Sequence, residues 1–123
     1  MAKADRKRTA TARIPAQVVA AVRAAEDKKA LDLVTLDLRK AAGFTDYFII
    51  CSGANPRQIR AIAAGVMEAL AANGAKPAHI EGHERSEWVL IDYFDFIVHV
   101  FSQETRLFYG LERLWGNAEK VDV

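Results

Sequence analysis

The sequence predicts an α/β fold, a single domain built on one mixed β-sheet flanked by helices in the order αββαβββα. Three observations predict it. Two segments repeat apolar residues at helical spacing between recognisable ends, at 15–27 and 56–73. Tyr47-Phe48-Ile49-Ile50-Cys51 is an unbroken β-prone apolar run, the mark of a strand covered on both faces. Residues 87–101 alternate around a short turn, as a hairpin does. The length of 123 residues, 51% apolar, supports one real core without disulfides or a structural metal.

In chain order, Pro15 suits a first helical turn, and Ile14, Val18, Val22 and Ala25 share a stripe that ends at Asp27-Lys28-Lys29. Residues 31–38 are too short for another helix and read as a strand. The run from Tyr47 to Cys51 is expected near the centre of the sheet. Asn55-Pro56 is a helix start, because Asn accepts a bond from an orphan amide and Pro fits the first helical position. Ile59, Ile62, Val66 and Leu70 then line one face, and Asn73-Gly74 supplies a left-handed stop. Lys76 to Ile80 reads as a short edge strand.

Strands at 87–92 and 95–101 are joined by Tyr93-Phe94. Pairing Asp92 with Asp95 sets the expected register, with Trp88 opposite His99 and Leu90 opposite Ile97. One face then carries Trp88, Leu90, Ile97, His99 and Phe101. The other carries Val89, Ile91, Phe96, Val98 and Val100 and belongs under helices. Leu107, Phe108, Leu111, Leu114 and Trp115 follow helical spacing over 103–115, with Gly110 a weak point inside. The expected division is a disordered basic tail at 1–13, a domain at 14–117 and a short C-terminal tail at 118–123.

Charge is unevenly spread. The formal net is +1, yet Lys3, Arg6, Lys7, Arg8 and Arg13 against Asp5 put +4 in the tail and leave −3 elsewhere. Such a tail suits a solvated terminus or contact with nucleic-acid phosphates. Cys51 is the only cysteine, which excludes an internal disulfide and fits a reducing, cytoplasmic setting. No apolar run approaches the roughly 20 residues that span a bilayer, so no membrane role is expected.

Motifs for chemistry are sparse. The glycines never fall into a dinucleotide or P-loop spacing, so no cofactor is expected. His79 and His83 flank Glu81 without the further ligands a zinc site needs. Cys51-Ser52-Gly53 lacks the first glycine of a nucleophile elbow, and Asp92 and Asp95 read as turn carboxylates. No catalytic or metal-binding residues are assigned. The aromatic density around the last hairpin stands out instead, with Trp88, Tyr93, Phe94, Phe96 and Phe101 close together, as at a binding interface.

Thr45-Asp46-Tyr47-Phe48-Ile49-Ile50-Cys51-Ser52-Gly53, then Arg57-Gln58, Glu81-Gly82, Glu87 to Tyr93, and Arg106 to Gly116 resemble, in order and interval, the ribosomal silencing factor family, also called the Iojap family. The resemblance runs from about residue 15 to 117. It implies a nucleotidyltransferase-like fold with no known catalysis, whose members bind ribosomal protein fourteen on the large subunit. In family terms the bound factor sterically blocks joining of the small subunit and represses translation under nutrient limitation, in a bacterial cytoplasm. It implies a partner-binding surface at Trp88, Asp92, Tyr93, Phe94, His99 and Phe101, with Arg57 at the rim or on RNA phosphate. Phe94 departs from the family, which often has glycine there. Because phenylalanine resists positive φ, a type I turn is expected in place of a primed one.

The residues agree on missing chemistry: where a working nucleotidyltransferase needs paired metal-binding carboxylates after its Gly-Ser turn, the helix after Ser52-Gly53 presents Arg57 and Arg60. Two alternatives stay open. One is a degenerate nucleotidyltransferase that still binds nucleotide. The other is an RNA-binding ribosome accessory factor that contacts ribosomal RNA through its basic tail. A homodimer of the free protein is also left open, mediated by the aromatic face.

Overall fold

The structure, a computed structural model, describes residues 14–123. The basic tail at 1–13, with the RNA contact expected of it, lies outside them. Helix α1 (Ala16–Asp27) and strand β1 (Leu31–Asp37) are followed by β2 (Tyr47–Gly53) and helix α2 (Pro56–Ala72). Then come β3 (His79–Glu81), β4 (Trp88–Asp92), β5 (Phe96–Ser102), the short helices α3 (Gln103–Tyr109) and α4 (Leu111–Leu114), and β6 (Glu119–Lys120). The expected α/β architecture is present, as one six-stranded mixed sheet in the order β3-β4-β5-β2-β1-β6.

The apolar run 47–51 lies in a wholly buried strand near the middle of the sheet, where β2 runs parallel to β5 and antiparallel to β1. Side chains alternate along a strand, so each face has its own core. Val89, Ile91, Phe96, Val98 and Val100 join Ile49 and Cys51 beneath α1 and α2. Ile97 and Phe101 join Leu36, Leu38, Phe48 and Ile50 on the opposite face. The division of the hairpin into two faces is thus as the alternation predicts.

Helix α2 starts as expected. The Asn55 side chain accepts from the Gln58 amide at 2.8 Å, and Gln58 Oε1 accepts from the Ala54 amide at 2.6 Å. The first bond satisfies an amide that a bare helix end would leave unpaired, and the second ties the residue before the cap to the first turn. Ile59, Ile62, Val66 and Leu70 are fully buried, and Gly74 at φ 80° ends the helix.

Four expectations are corrected. The hairpin register is shifted by two: Trp88 lies opposite Phe101, Leu90 opposite His99 and Asp92 opposite Ile97. The cause is the turn, since the Tyr93 amide donates to the Phe96 carbonyl at 2.9 Å and leaves Phe94-Asp95 as the tip. Next, Phe94 does adopt positive φ, at 70°, and the Asp95 amide donates to the Tyr93 carbonyl at 2.9 Å. The tip is therefore a strained γ-turn and not a type I turn.

The segment 103–115 is not one helix either. Gly110 takes a left-handed φ of 56° that ends α3 and caps α4, turning the stripe out of phase. Leu107, Phe108 and Leu114 consequently face outward, at 78%, 82% and 70% exposure. Finally, the last residues belong to the fold: Glu119 and Lys120 pair with Asp37 and Leu36, and Val121 and Val123 pack against the helix-side core.

Candidate partner-binding face

Period-two alternation in β4 and β5 puts Trp88, Leu90, Asp92, Ile97, His99 and Phe101 on the sheet face that α1 and α2 do not cover. Register adds Glu81, opposite Leu90, and His79, opposite Asp92. The His79 imidazole lies 3.3 Å from the Glu81 carboxylate. The C-terminal segment shields this face in part: Leu111, Trp115 and Ala118 pack onto its core, and Trp115 meets Phe48 and Phe44 edge-on or tilted at 6.1 Å and 5.9 Å.

Trp88 is locked in place. Its indole lies 4.9 Å from Phe101 and 4.7 Å from Tyr109, and its Nε1–H donates to His99 Nδ1 at 3.0 Å. His99 is only 3% exposed, against Phe48 at 4.5 Å. Burial pushes its pKa down to about 3, so the ring is neutral. With Nδ1 accepting, the network assigns the proton to Nε2, which has no hydrogen-bond partner among the described residues. His99 and Phe101 therefore lie beneath Trp88 and hold it, while Trp88 and Leu90 stay half-buried at the surface.

Phe94 projects from the hairpin tip at 75% exposure. Its backbone is held on both sides: its amide donates to Asp92 Oδ1 at 2.8 Å, and its carbonyl accepts from Thr45 Oγ1 at 2.8 Å. Tyr93 is placed otherwise than the sequence suggests. It turns into the helix-side core, stacks on Phe96 at 5.0 Å and is 7% exposed, so a residue flanking a turn is here a core residue. Burial raises its hydroxyl pKa.

Arg57 is also apart. It is exposed on the first turn of α2, which packs on the opposite side of the sheet. Alternation placed Leu90 on this face from the sequence, whereas Tyr109 and Glu81 were missed as members of it. Tyr109 was hidden in an apparent continuous stripe, although Gly110 signalled the break. Glu81 needed the pairing of β3 with β4.

At the carboxyl ends of the parallel strands, the chain leaves β2 toward α2 on one face and β5 toward α3 on the other, the crevice where open α/β sheets bind ligands. A cavity of about 480 Å³ opens here. Arg106 is among the residues that line it. Its guanidinium donates to Glu112 at 2.7 Å, Ser52 Oγ at 3.0 Å, and the carbonyls of Leu31 and Asp32 at 3.4 Å and 2.6 Å. Those bonds satisfy most of its donors within the protein. Cys51 is buried close by, and its thiol pKa is pushed up to about 12, far from a reactive thiolate. Among the described residues no group of three or more His, Cys, Asp or Glu is placed to hold a metal ion, and no helix is long and apolar enough to cross a membrane.

Residues 11–123 match the family described as ribosomal silencing factor during starvation. A ribosomal silencing factor from Halalkalibacterium halodurans is 40% identical over 103 residues, covering 84% of this chain and 88% of that one. Another from Bacillus subtilis is 39% identical, covering 84% and 87%. A crystal structure of a Chromobacterium violaceum protein superposes with a TM-score of 0.79 at 37% identity, covering 81% of this chain and 83% of that one. With sequence motifs, family match and backbone in agreement, the chain belongs to the ribosomal silencing factor family.

Proposed function

We propose that this chain binds the large ribosomal subunit through ribosomal protein fourteen and blocks joining of the small subunit by occupying the surface where the two would meet. The step is steric and needs no catalytic group. Repression of translation under nutrient limitation follows, and the setting is the cytoplasm. The observation that carries the reading is the sheet face left open over β3 to β5. Its centre, Trp88 and Leu90, is apolar and rigid, and the carboxylates of Glu81 and Asp92 stand beside it. An aromatic anchor flanked by carboxylates fits a basic protein surface, since the centre supplies affinity and the rim steers encounter and register. Exposed Phe94 and Phe108 extend the apolar area at its edges.

Co-sedimentation with isolated large subunits, isolated small subunits and preassembled ribosomes, at two salt concentrations and constant magnesium, tests the reading. Selective binding to large subunits that then fail to join small ones is the expected result. Equal binding to all three that vanishes at the higher salt overturns it. Glu81→Lys, at an exposed rim position, is expected to slow association with large subunits without lowering thermal stability.

A further inference from the structure

We infer that the end of the molecule formed by the start of α2, the turn after α1 and the loop before β4 is a second contact surface, one that docks on RNA phosphates beside the protein-binding face. The inference rests on the proposal that the ribosome is the partner. Three separate segments converge here. The Gln58 side-chain amide donates to the carbonyls of Lys28 and Lys29 at 3.3 Å and 2.9 Å, tying the turn after α1 to the first turn of α2. The Lys28 stem lies across Gly65, where an added Cβ would fall 3.0 Å from Lys28 Cγ. On the other side of α2, the Arg60 guanidinium donates to Ser86 Oγ at 3.0 Å, and Ser86 Oγ contacts the His83 carbonyl at 3.3 Å, fixing the loop that carries Arg85.

The result is a band of exposed cations, Lys28, Lys29, Arg57, Arg60 and Arg85, with Arg57 between the two flanking segments. Asp27, Glu84 and Glu87 lie in the same segments, yet none of the five cations makes an ion pair among the described residues. At the start of α2, Pro56 has no amide hydrogen and the Gln58 amide is taken by Asn55, so an anion met here is met chiefly by side chains.

Charge segregation identifies the partner. Carboxylates stand beside the open sheet face and suit a basic protein, whereas this end carries an excess of cations, Lys28, Lys29, Arg57, Arg60 and Arg85 against Asp27, Glu84 and Glu87. The two surfaces adjoin at the loop before β4, whose Gly82 packs on the Trp88 carbonyl so closely that a Cβ would overlap it. A partner that presents a basic protein next to a polyanion meets both, and a ribosomal protein embedded in ribosomal RNA is such a partner. Arg60, already oriented by Ser86, loses little side-chain freedom on meeting a phosphate.

The test compares the parent chain with Arg57→Glu/Arg85→Glu and with Arg57→Lys/Arg85→Lys, measuring affinity for large subunits across a range of salt at constant magnesium. The charge-reversed form is expected to lose about tenfold or more in affinity and to flatten the slope of log affinity against log salt by roughly two, one counterion per lost phosphate contact. The lysine form is expected to keep the parent slope, and melting temperatures of all three to agree. Parent affinity and slope in the charge-reversed form overturn the inference while large-subunit binding stands. Failure of the parent itself to bind large subunits overturns the proposed function instead. An isolated RNA hairpin then decides the inference: salt-sensitive binding by the parent but not by the charge-reversed form upholds it, and binding by neither overturns it.

Discussion

The Trp88 indole has one donor and gives it to His99 Nδ1, and that bond, with burial, keeps the imidazole neutral. In the unfolded chain this histidine takes up a proton near pH 6.5, but in the folded protein it stays neutral down to about pH 3. Between these values the unfolded state binds more protons, so this contribution to stability is complete above pH 6.5 and falls as pH drops, by about 1.4 kcal/mol per unit. From about pH 7.5 to about pH 5 the loss due to His99 is expected to be about 2 kcal/mol. In urea melts at the two pH values, His99→Gln should show a correspondingly smaller drop than the parent, since both lose the same carboxylate contributions. Equal drops would mean that the imidazole is protonated where it lies. Phe94 obeys different physics. Its side chain is exposed and its φ of 70° suits glycine, so Phe94→Gly is expected to leave the melting temperature unchanged or raise it, while weakening large-subunit binding. Trp88 and His99 were legible as neighbours on one face because period two is insensitive to a register shift of two. Tyr93 was not, because its direction depends on which two residues form the turn, and only the Asp92 and Thr45 bonds around Phe94 decide that.

At the scale of elements, the secure predictions were those with chemical punctuation. Asn55-Pro56 and Asn73-Gly74 bracket α2 within a residue or so, and the run from Tyr47 to Cys51 could only be a central strand. The C-terminal segment was misread because apolar spacing alone does not reveal a left-handed residue inside it. Gly110 makes that turn and Arg106 braces it, linking α3 through Glu112 to α4 and through Leu31 and Asp32 to a bulge in β1. Nothing local in the sequence pairs residue 106 with residue 32. Two substitutions separate the contributions. At Gly110 an added Cβ meets nothing closer than 3.9 Å, so Gly110→Ala should cost only the backbone penalty, about 1 kcal/mol. Arg106→Gln removes charge-assisted bonds and leaves half-buried acceptors unpaired, so about 2–3 kcal/mol is expected. Hydrogen exchange should locate that loss in residues 103–115 and in β1, with α2 unchanged. A uniform increase across the chain would mean that the segment unfolds only with the whole domain.

Over the whole molecule, the open face depends on how the sheet ends. A sheet exposes a row of unpaired backbone groups at each edge, and short edge strands limit the pairing these invite. Here β3 and β6 are the edges, three and two residues long. Strand β6 covers β1, a seven-residue strand that would otherwise be a longer and more apolar edge. The covering is secured by the Val121 amide on the Thr35 carbonyl at 2.9 Å and by Val121 and Val123 against the core beneath the helices. The sequence did not show this, because two paired residues carry no periodicity and Ala118 to Val123 read as a tail. Removing residues 118–123 gives up several backbone bonds and two half-buried valines, a loss of about 3 kcal/mol. The melting temperature should then fall by about 10 °C or more. The exposed β1 edge should also make the truncated chain associate, with light scattering that grows with concentration well below its melting temperature. The partner face over β3 to β5 lies at the other side of the sheet, so truncated chain that remains monomeric should still bind large subunits. A truncated chain that melts like the parent and stays monomeric would show that β6 is dispensable and that β1 needs no cover.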